Sequence, residues 1–180
     1  MSTLFDLSDR RVVVTGGTSG IGLAIARAFL EAGAQVIVTG RDPARGAQAL
    51  AELAPLGPAH FVPGDAGSEA DAVHLKDQVD RLLGGLDTLV CAAGTNRRMA
   101  PQDLTLKDWD TVVDANLKSV FLTSRALYPA LKDSGDGRIV TVGSMLSVLA
   151  NEASSAYAAA KGGVVQLTRS LAVSWAPDGI

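Results

Sequence analysis

"RVVVTGGTSGIGLAIARAFLEAGAQVIVTG" spans residues 11–40 and decides the fold. Its first six residues are a short β-branched run ending in glycine, the pattern of a buried strand. From Gly20 to Ala34 apolar residues recur at helical spacing, and Gly33 supplies a helix stop. "QVIVTG" (35–40) is a second buried strand. Strand, helix and strand within thirty residues leave no room for a hairpin, so the two strands run parallel with a right-handed crossover. The turn between them, "TGGTSGIG" (15–22), carries Gly16, Gly20 and Gly22. Glycines placed there permit a tight turn and let backbone approach a pyrophosphate at a helix N-terminus. A glycine trio alone is a weak signal. Between a buried strand and an amphipathic helix it points to a dinucleotide, although the spacing G-x-x-x-G-x-G differs from G-x-G-x-x-G.

The alternation continues in both the helical and the strand periods. "DPARGAQALAEL" (42–53) reads as a helix with Pro43 in its first turn, and "AHFVPGD" (59–65) as a third strand. "SEADAVHLKDQVDRLL" (68–83) is a helix capped by Ser68, with Ala72, Leu75, Val79 and Leu82 on one face. "LDTLVCAAG" (86–94) is a fourth strand. "TLKD" (105–108) is a capping box opening a long helix to about Leu131, "GRIVTVGS" (137–144) a fifth strand ending at Ser144, and a last helix runs from about Ser155 to Ala176. The pattern predicts an α/β fold with a doubly wound, mostly parallel, Rossmann-like sheet, and the whole chain, 1–180, as a single domain.

Composition narrows the function. The net charge of −3 carries no clustered Lys and Arg, which argues against nucleic acid, and no basic stripe suggests a membrane surface. "MSTLFDLSDRR" lacks the apolar core of a secretory signal, and no apolar stretch approaches a bilayer span. The single cysteine, Cys91, fits a reducing compartment, so the expectation is a cytoplasmic protein. His60 and His74 are not spaced as metal ligands, and no metal is expected.

In "SSAYAAAKGG" (154–163) Tyr157 and Lys161 stand four apart, on one helix face, with only alanines between. An ordinary tyrosine titrates near ~10. A cation close by favours the phenolate, and small residues leave room for a bulky cofactor. With the glycine turn, this pair resembles the short-chain dehydrogenases/reductases of Rossmann type, over the whole chain and with the motifs in the family's order. The resemblance implies hydride exchange between a carbinol carbon and a nicotinamide. Tyr157 would be the acid/base. Lys161 would tune it and grip the nicotinamide ribose. Ser144, thirteen positions before Tyr157, would polarise the substrate oxygen, Ser147 missing that spacing. Asn116, in "DANLKSVF", would perturb its helix and hold a relay water.

By the same resemblance Gly16, Thr18, Ser19, Gly20, Ile21, Gly22, Asp65, Ala66, Ala93 and Gly94 join Tyr157 and Lys161 in holding the cofactor. The second strand ends in Gly40 and Arg41 where an acidic residue would select NAD. A guanidinium there can grip a 2′-phosphate, so NADP(H) is preferred and NAD(H) is the alternative. Cys91 replaces a family asparagine that helps tie the sheet.

"AGTNRR" (93–98), "DWDTVVDANLK" (108–118) and "SMLS" (144–147) resemble the gluconate 5-dehydrogenase and 2-deoxygluconate 3-dehydrogenase branch. That implies a small-molecule sugar-acid substrate, its carboxylate held by Arg97 or Arg98, between which the sequence does not choose. The arginines can equally be solvated loop charges, or one of them can pair with the cofactor phosphates. The alternatives are a ketoacyl-thioester reductase of the same family and an inactive dinucleotide-binding module. The family implies a dimer or tetramer at full length. It also implies a sixth and a seventh strand and substrate-covering helices after "APDGI", so the sheet is expected to be incomplete at the C-terminus, with the fifth strand an open edge.

Overall fold

The computed structural model describes residues 6–180; Met1–Phe5, part of the segment read for a targeting signal, lie outside the described residues. The strands are β1 (Arg11–Thr15), β2 (Gln35–Gly40), β3 (Ala59–Pro63), β4 (Thr88–Cys91) and β5 (Arg138–Thr141). The helices are α1 (Gly20–Glu31), α2 (Pro43–Leu53), α3 (Glu69–Leu83), α4 (Leu106–Val113), α5 (Ser119–Asp133) and α6 (Ser155–Trp175). All strand pairs are parallel, in the order β3-β2-β1-β4-β5. The order reverses between β1 and β4, which opens a crevice at their carboxyl ends.

Side-chain alternation divides the core. Val12 and Val14 of β1 face Ala26 and Leu30 of α1 and Leu53 of α2, while Val13 faces Leu75 and Val79 of α3 and Leu127 and Leu131 of α5. All three valines are fully buried. This two-sided burial explains why β1 reads as a continuous apolar run. β5 departs from it. Ile139, opposite Leu89, packs with the α3–α5 face, but Val140, opposite Val90, is 49% exposed. Val140 stands on the α1–α2 face at the sheet edge, where neither of those helices reaches.

Local chemistry fixes the helix starts. Asp42 accepts from the backbone of Ala44 and Arg45, Ser68 from Asp71 and Thr105 from Asp108. The long helix expected from Thr105 is interrupted by a π-helical segment at Asp114–Lys118, so it is two helices, α4 and α5. Ser144 does not end the fifth strand. β5 stops at Thr141, and Ser144 instead caps a short 3₁₀ turn, Met145–Ser147.

Candidate active site

The turn after β1 lies against the residue that follows β4. Gly16 has φ +68°, and a β-carbon on it would come 2.7 Å from the Ala93 Cα. A β-carbon on Gly22 would overlap the carbonyl oxygen of Gly16, so α1 begins directly on the turn. Ser19, at the N-cap of α1, makes no side-chain cap. The first-turn N–H groups of α1 are therefore left without a cap from Ser19, beside a turn packed too closely for side chains at positions 16 and 22. That geometry fits a dinucleotide pyrophosphate.

A cleft of about 410 Å³ runs from this cradle along the carboxyl ends of β1, β2, β3 and β4. It is lined by Gly16, Thr18, Ser19, Gly20, Ile21, Gly22, Arg41, Asp65, Ala66, Ala93 and Gly94, every cofactor residue expected from the sequence outside α6. Asp42, Arg45 and Ala115 also line it and were not anticipated. Asp65 accepts from the Gly67 backbone at 2.9 Å, a turn role, and stands 3.8 Å from Arg41.

The pair on α6 is brought together as its spacing requires. The Lys161 ammonium lies 5.7 Å from the centre of the Tyr157 ring and donates to the Val142 carbonyl at 2.7 Å, two residues before Ser144. Lys161 is 5% exposed, and burial lowers its pKa from the ordinary lysine value. One bond leaves the ammonium with donors to spare. The Ser144 hydroxyl accepts from Leu146 N at 3.1 Å, while Ser147 Oγ accepts from Ser144 N at 3.2 Å. The Ser144 proton is thus not used in the cap, and Ser147 has a positioning contact of its own.

Asn116 sits in the π-helical segment, 1% exposed. Its Nδ2 donates to the carbonyls of Thr95 (2.6 Å) and Val112 (2.8 Å), pinning the loop after β4 to α4. Its Oδ1 is buried without a partner among the described residues, and a β-carbon on Gly94 would come within 2.5 Å of it. Cys91 is buried at the end of β4 with its sulfur 3.8 Å from Thr123 Oγ1, and burial pushes its thiol up to about 11. It is an inert core thiol facing α5.

Arg97 and Arg98 are exposed on the loop after β4 and do not line the cleft. Arg97 stands 3.9 Å from Asp108 of α4. Their loop is held beside the start of α6. Met99 N donates to Ala153 O at 2.9 Å, and Asn96 Nδ2 donates to Ser154 Oγ at 3.3 Å. No helix among the described residues is long and apolar enough to cross a membrane.

The pattern of the short chain dehydrogenases matches residues 10–180. The chain is 34% identical over 185 residues to a gluconate 5-dehydrogenase of Gluconobacter oxydans, covering 98% of this chain and 70% of that one. It is 36% identical over 177 residues to a rhamnolipid-biosynthesis 3-oxoacyl-[acyl-carrier-protein] reductase of Pseudomonas aeruginosa, covering 96% and 69%. A solved RhlG/NADP active-site complex from Pseudomonas aeruginosa superposes with a TM-score of 0.94 at 34% identity, over 100% of this chain and 72% of that one. The chain therefore spans about seven-tenths of the length of these relatives. With its glycine cradle under a 3-2-1-4-5 parallel sheet and a buried lysine beside Tyr157, the chain belongs to the short chain dehydrogenase family.

Proposed function

We propose that the protein interconverts a secondary alcohol and a ketone on a small sugar acid such as gluconate or a ketogluconate, with NADP(H) as the preferred cofactor. The observation that carries the reading is Lys161. A buried ammonium, held by one carbonyl and facing a tyrosine ring, is costly to place there unless its remaining donors serve a ligand. A bound nicotinamide would supply the hydride acceptor or donor. Tyr157 moves the matching proton to or from the substrate oxygen, and Lys161 offsets the charge that develops on the phenol. Ser144 donates its unused proton to the same oxygen. Asn116 holds the loop after β4 against the cleft, and its unpartnered Oδ1 is placed to accept from a relay water.

Arg97 and Arg98, on the loop pinned beside Ser154, are proposed to orient the substrate carboxylate. Arg97 stands only loosely by Asp108, so its guanidinium is available to a better-placed anion. Gluconate and hydroxybutyrate dehydrogenases are among the relatives, beside a D-threitol dehydrogenase and a 3-oxoacyl-[acyl-carrier-protein] reductase, so the acid rests on the arginines and not on the relatives. The test compares gluconate with an uncharged polyol of similar length in the full-length protein, in Arg97→Ala and in Arg98→Ala. One variant should lose about tenfold or more in kcat/KM for the acid and little for the polyol. Equal losses on both substrates would remove the carboxylate clamp. A wild type that prefers ketoacyl thioesters would remove the sugar acid.

A further inference from the structure

We infer that Ser147 is a positioning residue for Ser144: it seats the Ser144 turn on the helix that carries Tyr157 and Lys161, and it fixes the direction of the Ser144 hydroxyl. The inference rests on the reading of Ser144 as the donor to the substrate oxygen. It is independent of which secondary alcohol is bound.

Ser144 lies past the end of β5, and the sheet does not hold it. The donation from Val142 N to the Cys91 carbonyl at 3.1 Å stops two residues short. Gly143 comes between, with no side chain to pack. The apolar side chains that follow do not anchor the turn either, since Met145 is 78% and Val148 83% exposed. The position of Ser144 therefore rests on hydrogen bonds, and these form a reciprocal set. Ser144 Oγ accepts from Leu146 N at 3.1 Å, Ser147 Oγ accepts from Ser144 N at 3.2 Å, and Ser144 O accepts from Ser147 N at 3.0 Å. Ser147 makes two of the three.

Ser147 also meets α6. A β-carbon on Gly162, the residue after Lys161, would stand 3.6 Å from the Ser147 carbonyl oxygen. Turn and helix thus approach backbone to backbone, and Ser147 joins the two halves of the site. A hydroxyl has one proton and two lone pairs. With the Leu146 N–H on one lone pair, the Ser144 proton is directed away from the turn. That direction holds only while the Ser144 backbone is fixed, and the Ser147 hydroxyl is the side-chain group that fixes it. Without that bond, rotation at Gly143 and Ser144 moves the hydroxyl relative to Tyr157. A displacement on the order of 1 Å at a reacting centre can cost about 10²-fold in rate.

The experiment is a double-mutant cycle on kcat in the full-length protein, with Ser144→Ala, Ser147→Ala and the double variant. The assay is NADP⁺-linked oxidation of gluconate or of the uncharged polyol, whichever the wild type turns over faster. Ser147→Ala should lower kcat about 10-fold and leave NADP⁺ affinity within about 2-fold. Ser147→Thr keeps the hydroxyl and should recover most of the loss. The double variant should be no slower than Ser144→Ala, because Ser147 acts only through Ser144. Losses that multiply in the double variant would overturn the inference and make Ser147 an independent contact. A Ser147→Ala variant with the wild-type kcat would overturn it too, and the reading of Ser144 would stand. If Ser144→Ala itself keeps near-normal kcat, the reading of Ser144 falls and takes the inference with it.

Discussion

Gly40 closes β2 against the side chain of Thr18, which sits in the glycine turn after β1. A β-carbon at position 40 would come 2.7 Å from Thr18 Oγ1 and 2.9 Å from its Cγ2. The place where an acidic residue would read a ribose hydroxyl is thus already filled by a neighbour from another loop. Gly40→Asp alone should therefore weaken both NADPH and NADH, at an overpacking cost of about 1–3 kcal/mol. Gly40→Asp with Thr18→Ala should restore tight binding and favour NADH. Binding of the two cofactors to the single and double variants measures this, and a clean exchange of preference by Gly40→Asp alone would contradict it. The sequence made Gly40 and Arg41 legible because they are adjacent at a strand end. The Thr18 contact was not legible, since it joins residues of two strand-to-helix turns and follows from no local period.

At the scale of elements, β1 and β4 are locked at their amino ends by Asp87. Its carboxylate accepts from Arg11 N at 2.8 Å, Arg11 Nε at 2.9 Å and Arg11 Nη2 at 2.8 Å. Asp87 is 7% exposed, and the Arg11 guanidinium holds its carboxyl below the ordinary 3.8. A carboxyl with a lowered folded pKa stabilises fully above its unfolded value, and the stabilisation is lost as pH falls through the folded one. Asp87→Ala removes three bonds from Arg11, which keeps its contact to the Gly84 carbonyl and partial access to water, and should cost about 1.5–3 kcal/mol near neutral pH, with the difference from wild type shrinking below about pH 4. Urea unfolding at several pH values measures it; a gap that persists unchanged at acid pH would contradict the pair. The sheet and most helix bounds could be read from alternation and caps, and the Ser68 cap lies where expected. The break at Asp114–Lys118 could not be read from periodicity, because both halves share the helical pattern. It arises where the Asn116 side chain reaches out to Thr95 and back to the Val112 carbonyl.

The whole molecule is two apolar layers on one parallel sheet, with β5 as the least covered strand. Cys91, under α5, reports on that assembly because its thiol is fully buried. Burial raises it from 9.0 to about 11, so above pH 9 the unfolded chain loses this proton while the folded chain keeps it. Stability should then fall between about pH 9 and 11, by up to about 3 kcal/mol from this group. Lys161 acts in the opposite sense, since burial lowers its pKa, and the Cys91 thiolate and the Lys161 ammonium favour each other's charge, so Cys91→Ala against wild type reports the thiol together with that coupling. Parallel stability curves for the two would contradict the burial. The family, the sheet and the residues that line the cleft were visible in the order of motifs. The substrate was not, because its candidate ligands lie on an exposed loop whose packing no period fixes. The claim on which the rest depends is that Tyr157, tuned by Lys161, moves the proton in an NADP-linked reaction. The most direct test is NADPH formation from gluconate and NADP⁺ in the full-length protein and in Tyr157→Phe, with NADP⁺ affinity measured alongside. Turnover should drop by about 10²–10⁴ while affinity changes by less than about 2-fold; a variant that keeps near-normal turnover would contradict the account.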